Sequence, residues 1–384
     1  MKHFILSGRP GKRPVTDQRT VNMYRLGIDA RPLEHPSTGI GRYTYQIVNQ
    51  LRRLRDWKLF LFTGAPIKSV WPETTIIPFG VPGIPDLISF QSRVGRLSCQ
   101  YRLDAFFGPR HQLPARVTCP SVVTIHDLTW RDAPQTMRTL GRLVDTIFMP
   151  QAVTRADRII AVSRHTHDTL IRHLPRAGGK TSVVHEAAYR FPDSHTRTNN
   201  LNSPFILSVG TQEPRKNYIR LLASFKQVVT AHPELKLVIV AGRGWKTNLP
   251  REIKKNALND HVILIENVSD NALDGLYAHC EFVAMPSLYE GFGLPLIEAM
   301  QHGKAVVTSN LSAMPEVAAD AGYLVDPLRV DEITFAISQL MTNRHLRRQL
   351  ESAARKRCLD FSWEKAGEAT AQVIEDAITQ HRAD

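Results

Sequence analysis

The chain has 384 residues, 42% of them hydrophobic, and a formal net charge of +13 at pH 7. That length exceeds what one hydrophobic core ordinarily fills, so two domains are expected, and no apolar run approaches the roughly 18 residues a membrane-spanning helix needs. Residues 1–200 hold 29 Lys+Arg against 14 Asp+Glu, and residues 201–384 hold 20 against 22, so the basic excess sits in the first half and asks for an anionic partner there.

Residues 1–22 are polar and aperiodic and read as a disordered tail; Met23 directly precedes the first good strand, so translation starting there is an alternative to Met1. From residue 24 the pattern alternates. Strand-like runs fall at 25–29, 58–62, 74–78, 104–107, 121–125, 158–162 and 181–185, with helical patterns at 40–54, 87–101 and 140–156. Strands alternating with helices predict a parallel sheet with covering helices. The turn-rich stretch 189–203 reads as a linker. Alternation then resumes, with strand-like runs at 205–209, 236–241, 262–265, 281–285, 305–309 and 323–325. The expected fold is α/β: two Rossmann-like domains, 23–188 and 204–365, whose parallel sheets face a central cleft.

Cys99, Cys119, Cys280 and Cys358 match no zinc or disulfide spacing, which suits a reducing, cytoplasmic setting. No helix-turn-helix, RNP-type or zinc-finger pattern appears, so a nucleic-acid partner is not expected.

Four segments fall at the carboxyl ends of expected strands, where open α/β sheets bind ligands. The first leads from Asp29 to Gly39 and Gly41, two glycines just before a helix that could admit a phosphate or a sugar. The second is His126-Asp127, a pair able to orient and polarise a hydroxyl or phosphate oxygen. The third runs from Gly210 through Arg215 and Lys216 to Asn217. Two cations at a helix N-terminus oppose the helix dipole unless an anion lies between. Arginine offers a planar fork for phosphate oxygens, and lysine a compact charge.

The fourth is Glu290-Gly291-Phe292-Gly293-Leu294, with Glu298 eight positions after Glu290. Glycines at a strand-to-helix junction let the backbone approach a phosphate at the positive end of the helix. Eight residues is a little over two helical turns, so the carboxylates share one side. Carboxylates accept hydrogen bonds from vicinal hydroxyls. The element suits a nucleotide sugar, with the diphosphate between two hydroxylated rings.

With Gly210-Thr211-Gln212-Glu213-Pro214-Arg215-Lys216-Asn217 and Pro286-Ser287-Leu288-Tyr289-Glu290-Gly291-Phe292-Gly293-Leu294-Pro295 both in view, the chain resembles glycosyltransferase family 4 enzymes of GT-B fold, in particular bacterial mannosyl- and rhamnosyltransferases of polysaccharide or O-antigen synthesis. The resemblance implies a retaining transferase with no required cofactor or metal and a nucleoside diphosphate sugar donor, GDP-mannose favoured. It implies that Arg215 and Lys216 hold the diphosphate, Glu290 the transferred sugar and Glu298 the ribose diol. The backbone of Gly291, Phe292 and Gly293 would face sugar and phosphate, with His126 beside the sugar and Gly39 and Gly41 by the phosphates or acceptor. A last helix, about 366–384, would cross back to the first domain. His302 stands where the family usually has a smaller residue, which implies only altered helix packing.

The implied acceptor is a glycan or lipid-linked glycan. Leu87, Phe90, Val94, Leu97 and Tyr101 recur at helical spacing among Arg93, Arg96 and Arg102, a pattern that could rest on the anionic cytoplasmic face of the inner membrane. Competing readings are a GT-B sugar-nucleotide epimerase and a basic nucleic-acid-binding protein; the latter leaves Glu290, Glu298 and Gly293 without a role.

Overall fold

The structure is a computed structural model that describes residues 23–68, 71–188 and 203–383. The tail expected at 1–22 and linker residues 189–202 lie outside the described residues.

The first sheet contains β1 (Arg25–Asp29), β2 (Lys58–Thr63), β3 (Thr75–Pro78), β4 (Ala105–Gly108), β5 (Ser121–Ile125), β6 (Arg158–Ala161) and β7 (Thr181–Val183). The second contains β8 (Phe205–Thr211), β9 (Lys236–Gly242), β10 (Val262–Ile265), β11 (Val283–Met285), β12 (Val306–Ser309) and β13 (Gly322–Val325). All pairings are parallel, in the orders β3-β2-β1-β4-β5-β6-β7 and β10-β9-β8-β11-β12-β13. Helices cover both faces, so central strands are buried on both sides and read as continuous apolar runs; β4 and β5 are buried throughout.

The first domain's helices are α1 (Gly39–Leu54), α2 (Asp86–Gln100), α3 (Thr129–Asp132), α4 (Thr139–Arg155) and α5 (Arg164–His173). The second carries α6 (Tyr218–Ala231), α7 (Leu249–Lys255), α8 (Asp270–His279), α9 (Leu294–Gln301), α10 (Met314–Ala318), α11 (Val330–Thr342) and α12 (Arg344–Arg357), followed by the long α13 (Trp363–Ala383). α13 returns to the first domain and packs on α1 and the β4–β6 strands. Its start is pinned where Trp363 Nε1 donates to the Ala188 carbonyl at 2.9 Å.

Two readings change. Gly39 and Gly41 stand in the first turn of α1 rather than before it, with Thr38 as N-cap accepting from the Gly41 amide. Gly41 is required by packing: a Cβ there would meet the His35 carbonyl oxygen at 2.3 Å. The α2 stripe is not free for a bilayer, because Phe90 and Val94 are fully buried and Phe90 packs on Phe79 and Phe106. Among the described residues the concentration of exposed apolar side chains on one helix is on α4, where Leu140, Leu143 and Ile147 are 72%, 55% and 43% exposed. Among them, no helix is long and apolar enough to cross a membrane.

The α1–α13 crossing generates a test. A Cβ on Gly367 would stand 2.3 Å from Gln50 Cβ. Overpacking costs about 1–3 kcal/mol, more than the ~1 kcal/mol that alanine gains over glycine in a helix. Gly367→Ala therefore lowers the thermal midpoint in calorimetry; an unchanged or raised midpoint would mean the two helices are not closely packed there.

Candidate active site

Both sheets reverse their strand order beside the first strand, between β1 and β4 and between β8 and β11. The crevice outside such a reversal is the usual ligand site of an open α/β sheet. The loop after β8 carries Arg215 and Lys216, and the loop after β11 carries Glu290 to Gly293, so the two loops share one crevice.

Arg215 and Lys216 lie in a short 3-10 turn, Pro214–Lys216, and Asn217 then takes a left-handed conformation (φ 59°) before α6 begins at Tyr218. Asn217 tolerates that conformation because its side chain donates to the Pro286 and Pro327 carbonyls at 2.9 and 2.7 Å. The anion expected between the cations is present, and it is internal. Arg215 Nη1 pairs with Glu290 Oε2, and Lys216 Nζ donates to Glu290 Oε1 at 2.7 Å. Arg215 also reaches the Tyr289 carbonyl at 3.3 Å. A Cβ on Gly210 would meet Lys216 Cε and the Tyr218 hydroxyl at 3.0 Å, so this glycine leaves room for the lysine stem.

Burial alone would raise the Glu290 carboxyl, but the charges of Arg215 and Lys216 outweigh it and hold it below the usual carboxylate value. Burial acts in the opposite sense on Lys216 and, with Arg215 beside it, leaves its ammonium below the usual lysine value despite Glu290. Glu298, 3% exposed, is raised by burial, opposed by Arg42 and the Tyr277 hydroxyl. Tyr277 donates to Glu298 Oε2 at 2.8 Å, while Arg42, from α1 of the other domain, contacts Asp270 at 2.8 Å and Glu298 at 3.5 Å. His302 is more than a packing difference: its ring stacks on Tyr277 at 5.7 Å and its Nε2 lies 3.1 Å from Asp274, so it helps orient the hydroxyl that holds Glu298.

The glycines of the β11 loop have separate causes. Gly293 has φ 106°, and a Cβ there would strike Met314 at 2.5 Å; a Cβ on Gly291 would stand 1.8 Å from the His126 carbonyl oxygen, across the cleft. The Gly291 carbonyl accepts from Ser163 Oγ at 2.7 Å and Thr166 Oγ1 at 3.2 Å in the first domain. Phe292 turns away from the cations and stacks on His185 at 5.9 Å, beside Phe361. Leu294 lies opposite α1, 3.9 Å from where a Gly39 Cβ would be.

His126 is held at both ring nitrogens, by Glu186 on Nδ1 and the Pro109 carbonyl on Nε2, each at 2.8 Å. A carbonyl only accepts, so Nε2 carries a proton; the carboxylate on Nδ1 favours a second. Burial pushes the ring towards neutrality, but the Glu186 hydrogen bond and charge outweigh it and raise its pKa. Asp127 is fixed by the Thr129 amide at 2.9 Å. Burial pushes its carboxyl up, and opposing contributions that include the charge of Arg215 bring it net below the usual value.

Pattern reading of the sequence missed four contributors. Glu186 follows the apolar run of β7, so the strand-end rule would have found it. Arg42 closes the segment Gly39-Ile40-Gly41-Arg42, but nothing in that segment tells that its side chain reaches the other domain. Tyr277 lies mid-helix in no motif, whereas Glu316 stands in Pro315-Glu316-Val317, a stretch that resembles the family without naming a role for it, and closes the interface from the far side. Its carboxylate caps α5 through the Arg164 and His165 amides at 2.9 and 3.1 Å and meets His185 at 2.7 Å. Among the described residues, no group of three or more His, Cys, Asp or Glu is disposed to hold a metal ion.

Two parallel α/β domains with their switch-point loops opposed define a glycosyltransferase of GT-B fold. The profile described as Glycosyltransferase Family 4 matches residues 37–187, and that described as Glycosyl transferases group 1 matches residues 192–357; the chain belongs to this family of enzymes. It is 28% identical over 372 residues to O-antigen chain mannosyltransferase B of Escherichia coli, covering 89% of this chain and 96% of that one. It is 23% identical to O-antigen chain mannosyltransferase RfbU of Salmonella typhimurium, over 80% of this chain and 86% of that one. Among solved structures, sucrose-phosphate synthase from Thermosynechococcus elongatus superposes with a TM-score of 0.77 at 19% identity, over 93% of this chain and all of that one.

Two outcomes follow from this geometry. In Gly291→Ala the added methyl meets backbone on the opposite domain, so only a parting of the domains relieves it. Small-angle scattering should give a larger radius of gyration, and turnover should fall on the order of 10²-fold through misplacement; an unaltered radius and rate would refute the contact. Glu186→Gln removes the anion that raises His126, so the His126 ring should titrate at lower pH by NMR, and an unmoved midpoint would show that Glu186 does not control its charge.

Proposed function

We propose that this protein is a retaining mannosyltransferase that needs no metal and moves the sugar of GDP-mannose onto a glycan. The observation that carries the proposal is the pair Arg215–Lys216 at the carboxyl end of β8, the first half-buried and the second buried, both held by Glu290 from the β11 loop. Breaking the anomeric C–O bond builds positive charge on the sugar and negative charge on the departing diphosphate. Preorganised cations aimed at that diphosphate are the kind of contribution that usually dominates catalysis, and here they stand in for a divalent ion. No Asp-x-Asp sequence occurs in the chain.

In the free protein Glu290 occupies the place of the phosphates. Donor binding exchanges one anion for another: phosphate oxygens take Arg215 and Lys216, and the released carboxylate turns to hydroxyls of the transferred sugar. Glu298 takes the ribose diol, which replaces Arg42. The acceptor approaches from the first domain past His126, and its hydroxyl attacks on the face the diphosphate leaves, with the leaving phosphate as base. Mannose as the transferred sugar is supported by the two full-length relatives, both named as O-antigen chain mannosyltransferases. The acceptor is a lipid-linked glycan reached at an anionic cytoplasmic membrane surface, which the basic excess of residues 1–200 favours.

The test is a thermal-shift panel of GDP, UDP and dTDP with their sugars, since a bound ligand stabilises the fold by mass action, followed by turnover in EDTA and the anomeric configuration of the product by NMR. GDP-mannose should stand out, and turnover should survive chelation with retention. Replacing both cations (Arg215→Ala with Lys216→Ala) should cut kcat by roughly 10²–10³. Near-normal turnover in that variant would defeat the proposal, and diphosphate release without acceptor would favour an epimerase.

A further inference from the structure

Helices α8 and α9 of the second domain meet through a polar seam. Asp274 and Tyr277 stand three residues apart on α8, and Glu298 and His302 stand four apart on α9 and its C-cap. Those spacings put each pair on one side of its helix. Two rungs join the pairs: the Tyr277 hydroxyl donates to Glu298 Oε2 at 2.8 Å, and His302 Nε2 lies 3.1 Å from Asp274 Oδ1. The His302 and Tyr277 rings lie 9° from parallel, 5.7 Å between centroids, in an offset stack.

The seam runs in one direction, towards the ligand crevice. Asp274 is buried, and a buried carboxylate needs a partner, so the imidazole is tethered by its ring nitrogen. A tethered imidazole limits the swing of the phenol ring stacked on it. Burial, and then the charge of Glu298, raise the Tyr277 hydroxyl well above its ordinary value, so it stays a donor. Its bond commits Glu298 Oε2 within the second domain. Oε1 is the oxygen met from the other domain, by Arg42 at 3.5 Å, a longer contact than the 2.8 Å that Arg42 makes with Asp270. A carboxylate meets two adjacent hydroxyls only when its plane is set, and the seam sets it.

We propose that His302 gives the nucleotide site its preference for an intact ribose: tethered by Asp274, it holds Tyr277, and through Tyr277 it holds Glu298, at the angle a vicinal diol requires. His302 touches no ligand in this scheme and acts as a positioning residue. The inference rests on the reading of Glu298 as the acceptor of the ribose diol. A role in helix packing alone would weaken every nucleotide alike.

Calorimetric titration of the full chain with GDP and UDP, and with their 2′,3′-dideoxy forms, tests it. The wild-type chain should bind the better ribonucleotide about tenfold more tightly than its dideoxy form, the scale of one hydrogen bond to a charged group. In His302→Ala that preference should fall about fivefold, with the affinity for the dideoxy form nearly unmoved. Tyr277→Phe should lose as much or more, and adding His302→Ala to it should cost nothing further, since both act through one hydroxyl. Should His302→Ala lose its native circular dichroism, His302→Gln carries the comparison, keeping a donor for Asp274 without the ring. An unchanged preference, an equal loss for ribonucleotide and dideoxy form, or additive losses in the double variant would each overturn the assignment. If GDP or UDP binds the wild-type chain no better than its dideoxy form, the assignment falls while the donor reading stands; if neither nucleotide binds, both fall.

Discussion

A carboxylate withdrawn from water stays charged only if something positive is withdrawn with it. Glu290 has two such partners, Arg215 and Lys216, and both come from the far side of the switch point. That constraint ties the β8 loop to the β11 loop and fixes the cations before any ligand arrives. It also fixes the Tyr289 carbonyl against Arg215 and the Glu290 amide against Ser312. The neighbouring Gly291 then reaches the first domain. The ion cluster holds the two adjacent cations together, while Asn217 keeps its left-handed conformation through the Pro286 and Pro327 carbonyls and Gly293 through its lack of a Cβ.

The closed cleft follows from what that loop touches. The Gly291 carbonyl takes two hydroxyl donors from the first domain, and Glu316 caps α5 across the interface. A helix start leaves amides unsatisfied, and here the missing acceptor comes from the opposite domain. Arg42 reaches Glu298 from α1. Trp363 ties α13 to the end of the first domain. These polar contacts add to apolar packing that is continuous across the cleft, since Leu33, Tyr43 and Ala187 of the first domain share one buried cluster with Phe292 and Leu296 of the second.

Much of the fold was legible because parallel strands buried on both faces leave an unmistakable apolar run. The runs at 25–29, 121–125 and 262–265 coincide with β1, β5 and β10. The run at 281–285 begins two residues before β11, yet its first residues already bond to β8, since the Glu281 amide donates to the Phe205 carbonyl at 2.8 Å and the Phe282 carbonyl accepts from the Leu207 amide at 3.1 Å. The α2 stripe was legible as a stripe, but an amphipathic period says only that one face is apolar and not what covers it. Packing on Phe79 and Phe106 decided that. At the site, Arg215, Lys216, Glu290 and Glu298 were visible from type and spacing. Their partners Arg42 and Tyr277 were not, because each joins the site by a contact distant in sequence.

The sequence by itself determined the two sheets, the positions of the four strand-end loops and the residue types able to meet a diphosphate and a diol. These follow from short-range rules, namely periodicity, strand-end placement and the chemistry of each side chain. Only the tertiary structure decided that Glu290 pairs with both cations at once, that Gly291 is glycine because a carbonyl of the other domain lies against it, and that Arg110 and His111 keep buried nitrogens without partners among the described residues. Each of those depends on the approach of backbone segments far apart in the chain, and a local pattern carries no measure of that distance.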